Sequence, residues 1–270
     1  MIRLTILGCG SSGGVPRLGG PEGAGFWGDC DPANPKNRRR RCSVLVERTG
    51  PAGTTSVLID TGPDLRDQLL DAQVMRLDAV VYTHAHADHI HGVDDLRQVV
   101  HLMRSRVQLY ADAATRAVLT DRFGYIFQTP DGSPYPPICE MTTIDGAFAI
   151  DGPGGPLRLT PFQVDHGAMP ALGFRISAEG RSLAYLPDVS DIPEAAWPTL
   201  AGLDLFVLDA LQRRPHPTHA HLALALDWIA RAAPAQAVIT NMHVDMDYAT
   251  LTAELPPGTS PAYDGRVITL

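Results

Sequence analysis

No surplus of positive charge runs through this sequence. Its 270 residues carry a formal net charge of −8, and lysine occurs once, as Lys36. A broad nucleic-acid footprint needs a basic face, so the balance argues against one. Long apolar runs are also missing, which excludes a membrane-spanning helix. The four cysteines, Cys9, Cys30, Cys42 and Cys139, are few and far apart. They do not make a disulfide framework and read as reduced thiols in a cytoplasmic protein. Met1–Leu7 is soon followed by glycines and reads as a first strand rather than a signal peptide. No linker or low-complexity segment interrupts the chain. Short β-like runs alternate with helical stretches over 1–270, and 44% of residues are hydrophobic, enough for one sizeable core. A single domain is expected.

What the chain does have is concentrated in Thr83-His84-Ala85-His86-Ala87-Asp88-His89. This run places four metal-ligand side chains within six residues. The apolar stretch Leu77–Tyr82 before it reads as a buried strand, and Ile90–Val100 after it reads as a helix. Three imidazoles and a carboxylate at a strand edge lose hydration and gain little packing unless something binds them. Alternate residues of an extended chain point the same way, so His84 and His86 can reach one ion. Asp88 and His89 lie where the chain turns into the helix and address a second spot. The spacing therefore suits two divalent metals.

His-x-His-x-Asp-His after a buried strand resembles the signature of the metallo-β-lactamase-fold hydrolases. That resemblance implies an α/β fold, a four-layer αββα sandwich of two mixed sheets flanked by helices. It also implies three further ligands at the ends of later strands. His166 closes Leu157–Val164, Asp188 follows Ser182–Leu186 as the bridging acid, and His243 follows Ala237–Thr240. His243 stands two residues beyond the place where the family more often has histidine, here Asn241. The shift keeps the same face if the segment stays extended. By resemblance, His84, His86 and His166 hold one ion, Asp88, His89 and His243 the other, and Asp188 both. Asp60, in a matching Asp-Thr-Gly, and Asp209 are candidate partners for the ligating rings. Nitrogen and carboxylate donors suit zinc or manganese, with iron also allowed.

Within the superfamily, Leu7–Pro16, Arg41–Val46 and Leu58–Asp64 resemble the phosphoribosyl cyclic phosphate phosphodiesterases of phosphonate breakdown. The resemblance implies opening of a small cyclic phosphodiester by a metal-bridging hydroxide, with Asp88 in the catalytic centre. In Pro215–Leu222 it implies a catalytic histidine at His219, which would protonate the leaving alkoxide; an imidazole suits that task. The simpler reading is that Thr218 or His219 caps the helix expected from about Leu222 to Ala233. His216 and His221 are weaker candidates. Some members hold a structural zinc through cysteines. Cys30 and Cys42 alone do not close such a site, which is expected to be absent unless Asp29, Asp31 or a histidine completes it.

Two further features have competing readings. Gly8-Cys9-Gly10-Ser11-Ser12-Gly13 matches a dinucleotide-binding pattern, but Val15-Pro16 and Gly19-Gly20-Pro21 forbid the helix that pattern needs. The loop is a turn, or a rim that approaches a phosphate. Arg38–Arg41 is either a solvated run or a source of bidentate contacts to a phosphate. Gly124–Pro137, rich in proline and aromatics, is either a wall over the substrate or a rigid surface loop.

The rival activities are ranked lower. A tRNA-processing nuclease or other nucleotide phosphodiesterase would need a basic surface or arm. A glyoxalase-type thioesterase would not use His219. A true β-lactamase would lack Asp188, and a diiron redox protein would replace His86 with a carboxylate. A metal-binding scaffold without catalysis would not need a candidate acid. The expected partner is a small phosphodiester, without nucleic acid or membrane; a homodimer is allowed.

Overall fold

The computed structural model describes all 270 residues. Fourteen strands form in chain order: β1 Ile2–Gly8, β2 Ser43–Gly50, β3 Gly53–Ile59, β4 Ala79–Val81, β5 Val107–Ala111, β6 Cys139–Thr143, β7 Phe148–Ile150, β8 Leu157–His166, β9 Met169–Ala178, β10 Arg181–Leu186, β11 Leu205–Asp209, β12 Gln236–Thr240, β13 Thr259–Pro261 and β14 Val267–Thr269. They make two seven-stranded sheets, ordered β14-β1-β2-β3-β4-β5-β6 and β13-β12-β11-β10-β9-β8-β7. Both are mixed. β3 to β6 run parallel, as do β10 to β13, and the remaining pairings are antiparallel.

Alternation along the strands explains the layering. In the first sheet Leu4, Ile6, Val44, Val46, Val57, Ile59, Ala79 and Val81 face the second sheet and share its core. The residues between them, Leu45, Leu58 and Val80, face the other way and join a separate cluster. A strand whose successive side chains point to opposite faces, both apolar, must be covered twice. Helices α1 Leu65–Asp71, α3 Leu96–Met103 and α4 Ala113–Phe123 cover that outer face through Leu65, Leu69, Leu96, Val99 and Leu119. On the second sheet the cover is α5 Leu222–Ala232, through Ala225, Trp228 and Ile229. The αββα sandwich of two mixed sheets is therefore the observed fold.

One expected helix is divided. In place of a continuous Ile90–Val100 helix, the chain forms α2 Ala87–Ile90, a 3-10 turn Val93–Asp95 and then α3. Thr61 N–H donates to the His89 carbonyl at 2.7 Å, and Gly92 N–H donates to the Thr61 carbonyl at 2.8 Å. These bonds pin the segment to the loop after β3. A Cβ at Gly92 would lie 2.1 Å from the Gly62 carbonyl oxygen, so only glycine permits the approach. The last helix, α6 Tyr248–Glu254, is capped by Asp247, which accepts the Thr250 N–H at 2.9 Å.

The Gly124–Pro137 loop is a surface feature. Tyr125, Ser133, Tyr135 and Pro136 gather around Arg97 and His101 of α3, and none lines the cavity described below. No helix follows the Gly8–Gly13 loop either; Gly10 instead bridges to Arg41 and Met242. No helix is long and apolar enough to cross a membrane.

Candidate metal centre

Five strands deliver the site, each at its carboxyl end. Asp60 follows β3, His84 and His86 follow β4, and His166 ends β8. Asp188 follows β10, and Asp209 ends β11. The parallel pairing of β3 with β4 and of β10 with β11 puts these ends on one edge of the sandwich.

Two groups of donor atoms meet there. His84 Nε2 lies 2.9 Å from His86 Nδ1, which lies 3.1 Å from His166 Nε2. Asp188 Oδ2 is 3.6 Å from the His84 nitrogen and 3.5 Å from that of His166. In the second group, His89 Nε2 is 3.4 Å from Asp188 Oδ1 and 3.5 Å from Asp88 Oδ2. Asp188 thus offers one oxygen to each group. A tetrahedral ion with bonds of about 2.0–2.1 Å spaces its ligand atoms about 3.4 Å apart. The observed separations fit a divalent metal without rearrangement of the backbone.

The outer hydrogen bonds orient the rings. His166 Nδ1 donates to the Thr218 carbonyl at 2.7 Å, and His89 Nδ1 donates to Asp60 Oδ2 at 2.8 Å. His84 Nδ1 meets the Thr83 hydroxyl at 3.0 Å, and that hydroxyl donates to Asp60 Oδ2 at 2.8 Å. In each case Nε2 is left facing the group. His89 Nε2 is buried and has no hydrogen-bond partner, an arrangement that a bound cation would satisfy.

The charge states agree with this. Burial pushes the His84 and His166 imidazoles below their ordinary value, which keeps a lone pair free. Burial acts the same way on His89, but Asp188, Asp60 and Asp88 outweigh it and hold that imidazole well above its usual range. Burial would raise Asp188, yet His89 and His84 keep its carboxyl well below the usual range. Ionised carboxylates and neutral imidazoles are what a metal requires, and His84 and His166 meet that need; the carboxylates around His89 favour a cation at its Nε2, a proton that a bound metal would displace.

Asp60 supports both groups through His89 and Thr83. It is fully buried, and it also accepts the Thr83 N–H at 2.8 Å. Asp60→Asn is expected to weaken metal affinity about 10- to 100-fold with the fold retained. Competition against a chromogenic chelator measures this; an unchanged affinity would remove Asp60 from the account.

A second cluster stands beside the first. His219 Nδ1 donates to Asp209 Oδ2 at 2.9 Å, and the His219 ring lies edge-on to His166 with centroids 4.7 Å apart. Asp209 is fully buried and also accepts the Val189 N–H at 3.1 Å. Asn241 Nδ2 donates to Asp209 Oδ1 at 3.1 Å and to Asp188 Oδ1 at 3.2 Å, tying the two clusters together. Sequence reasoning noted Asn241 only as the occupant of a histidine's place and missed this link. Both clusters open on a cavity of about 630 Å³. His216 also lines it, whereas His221 precedes α5 without lining it. Neither Thr218 nor His219 caps that helix: its N-cap residue is His221, which makes no side-chain capping bond.

His243 departs from expectation. It lines the cavity but joins neither donor group, and its Nδ1 faces Asp245 Oδ1 at 3.7 Å. The segment does not stay extended: Asn241 has φ 60°, a left-handed conformation that asparagine tolerates. The turn redirects the chain, and the amide of Asn241, rather than an imidazole, stands beside Asp188.

The arginine run also differs from the phosphate-binding reading. Arg39 is buried and donates to the carbonyls of His243 at 3.2 Å and Met246 at 2.5 Å. Arg40 pairs with Asp264 and Asp71, and Arg41 with Asp64. Arg38 lies over the Trp27 ring. None lines the cavity; Ser11, Ser12 and Arg17 of the glycine-rich loop do. All four cysteines are free and buried. Cys30 meets Arg39 Nη1 at 3.8 Å, while Cys42 donates toward the Gly10 carbonyl at 3.6 Å. Burial raises both thiols.

Fold and site together define a hydrolase of the metallo-β-lactamase fold with a His/Asp metal site. The chain belongs to the β-lactamase superfamily, whose domain model matches residues 55–242. Among solved structures it is similar to a diphosphatase from the PhnP family, 34% identical, with a TM-score of 0.86 over 100% of this chain and 98% of that one. Zinc-bound PqqB from Methylobacterium extorquens shares the fold, at 21% identity and a TM-score of 0.73 over 99% of this chain and 100% of that one. An octanoyltransferase of Porphyromonas gingivalis is 31% identical over 269 residues, which are 98% of this chain and 51% of that protein. The chain therefore spans about half the length of that relative.

Proposed function

We propose that the protein is a metal-dependent phosphodiesterase that opens a small cyclic phosphodiester. The observation that carries this reading is His219, which lines the same cavity as the metal group and is held from behind by a 2.9 Å bond to Asp209. A hydrolase that only needs activated water has no use for a second, independently oriented imidazole. One that expels an alkoxide does. Similarity to a diphosphatase supports phosphoryl chemistry over acyl chemistry.

His84, His86, His166 and Asp188 would hold one divalent ion, and Asp88, His89 and Asp188 a second. When bound, such ions supply a hydroxide at neutral pH and neutralise charge on the phosphoryl oxygens. The protein's own groups do the rest. Asp60 and the Thr218 carbonyl fix the ring tautomers of His89 and His166. Asn241 holds Asp188 and Asp209 in register. Asp209 keeps the His219 Nδ1 proton in place, so the ring's proton at Nε2 is the one available to the departing oxygen.

Phosphorus NMR of the zinc- or manganese-loaded protein with a ribose cyclic phosphate tests the reading. Conversion to a ring-opened monoester is expected. An intact diester in the presence of stoichiometric bound metal would overturn it.

A further inference from the structure

We propose that the two donor groups hold their ions unequally. His84, His86, His166 and Asp188 bind one ion first and tightly; Asp88, His89 and Asp188 take a weakly held, exchangeable ion, because the amide of Asn241 stands beside them and supplies no ligand. The proposal rests on the metal assignment of the reading above and not on its substrate.

Donor count separates the groups. The first brings four side chains, enough to close a tetrahedral shell; the second brings three, one of them the shared carboxylate. His243 does not make up the difference. It lines the cavity outside both groups, with Nδ1 facing Asp245 at 3.7 Å. Its backbone is pinned there: Met242 N–H donates to the Cys9 carbonyl and His243 N–H to the Leu211 carbonyl, both at 2.8 Å.

Asn241 is buried, and its orientation keeps it from ligating. Nδ2 lies 3.2 Å from Asp188 Oδ1 and 3.1 Å from Asp209 Oδ1. Both neighbours are carboxylate oxygens and only accept, so the atom between them is the NH₂, whose lone pair is delocalised and offers a cation nothing. The amide oxygen, which could ligate, instead receives the Cys42 thiol at 3.9 Å. The amide also weakens a donor the second group does have. The Asp188 oxygen that accepts its N–H is Oδ1, the one facing His89 Nε2 at 3.4 Å, whereas Oδ2 faces His84 and His166. The first ion, once bound, repels the second across the shared carboxylate. The doubly loaded protein therefore follows the free metal concentration over a range in which the first group is already full.

Zinc titrated into the metal-stripped protein tests this without substrate, with chelator competition reading the tight step and calorimetry the weak one. Two steps of one ion each are expected, the first at least about a hundredfold tighter, since a missing ligand costs no less than a missing group that orients one. Asp88→Asn should abolish the second step and leave the first in place. Asn241→His offers an imidazole in a backbone conformation that histidine also tolerates, and should tighten the second step by about tenfold or more. Should that variant fail to fold, Asp88→Asn still decides. A single two-ion step in the wild type, loss of the tight step in Asp88→Asn, or an unchanged second step in folded Asn241→His would overturn the proposal. Failure of the phosphodiesterase reading would show separately, as a cyclic diester left unopened with both ions bound.

Discussion

Asp188→Asn is expected to weaken metal binding severely and to lower kcat/KM for hydrolysis by about a thousandfold or more. The side chain is shared: Oδ2 faces His84 and His166 at 3.6 and 3.5 Å, and Oδ1 faces His89 at 3.4 Å. An amide keeps the shape but replaces one oxygen with an N–H donor and removes a negative charge. Whichever group receives the NH₂ loses a ligand. The Asn241 amide, which now donates to Oδ1 at 3.2 Å, would fix the remaining oxygen toward the His89 side and turn the new NH₂ toward His84 and His166. A thousandfold corresponds to about 4 kcal/mol, within the several kcal/mol that a metal contributes to charge stabilisation. Two measurements distinguish loss of metal from a general loss of structure. Metal content by mass spectrometry should fall, and the rise in melting temperature expected of the wild type on adding zinc should vanish, because such a rise is binding linkage. A variant with undiminished metal content would show that Asp188 does not bridge.

The parts of this site legible in the sequence were those set by short-range geometry. His84, His86, Asp88 and His89 follow one strand and one turn, so alternation and the strand-to-helix change suffice to sort them into two groups. His166 and Asp188 could be found because each stands at or just past the end of a β-like run. Asp60 was legible through its Asp-Thr-Gly context. His243 was not, because its place depends on a single dihedral: φ of 60° at Asn241 ends the extended run on which the shifted register relied. Asparagine is the non-glycine residue for which that conformation deserves weighing.

Long-range pairing was the other blind spot. Nothing local shows how Arg38 to Arg41 are engaged; the answer lies in what arrives from elsewhere in the chain. Asp264 reaches Arg40 across more than two hundred residues of chain, and Asp64 reaches Arg41. Arg40 and Arg41 of the run are thus paired, and Arg39 is taken up by carbonyl oxygens. Sheet order has the same character. β14 is three residues long, carries no pattern that assigns it a neighbour, and pairs with β1 at the opposite end of the chain. The division of the expected helix at Gly92 was likewise set by a distant contact, the Gly62 carbonyl.

His219→Ala will lower kcat on a diester with an alkoxide leaving group by about 10²- to 10⁴-fold, the usual worth of a positioned general acid. It will cost far less on a nitrophenyl diester, whose leaving group departs without a proton. The pH profile supplies the sign. Burial lowers the His219 imidazole, but its hydrogen bond to Asp209 and the charge of that carboxylate lift it to about 9. Burial lifts Asp209 itself to about 7. The imidazole is thus the proton's seat at neutral pH. An acid works only while protonated, so the rate with the alkoxide diester is full below this pKa and falls as pH rises through it. The alkaline limb should be missing in His219→Ala. In Asp209→Asn the supporting carboxylate is gone, so the imidazole loses its proton earlier and the limb moves to lower pH. A purely structural role for Asp209 would lower the rate without moving the limb. Equal losses on both diesters in His219→Ala would show that the ring does not deliver the proton, and the assignment of the acid would fail while the metal group stood.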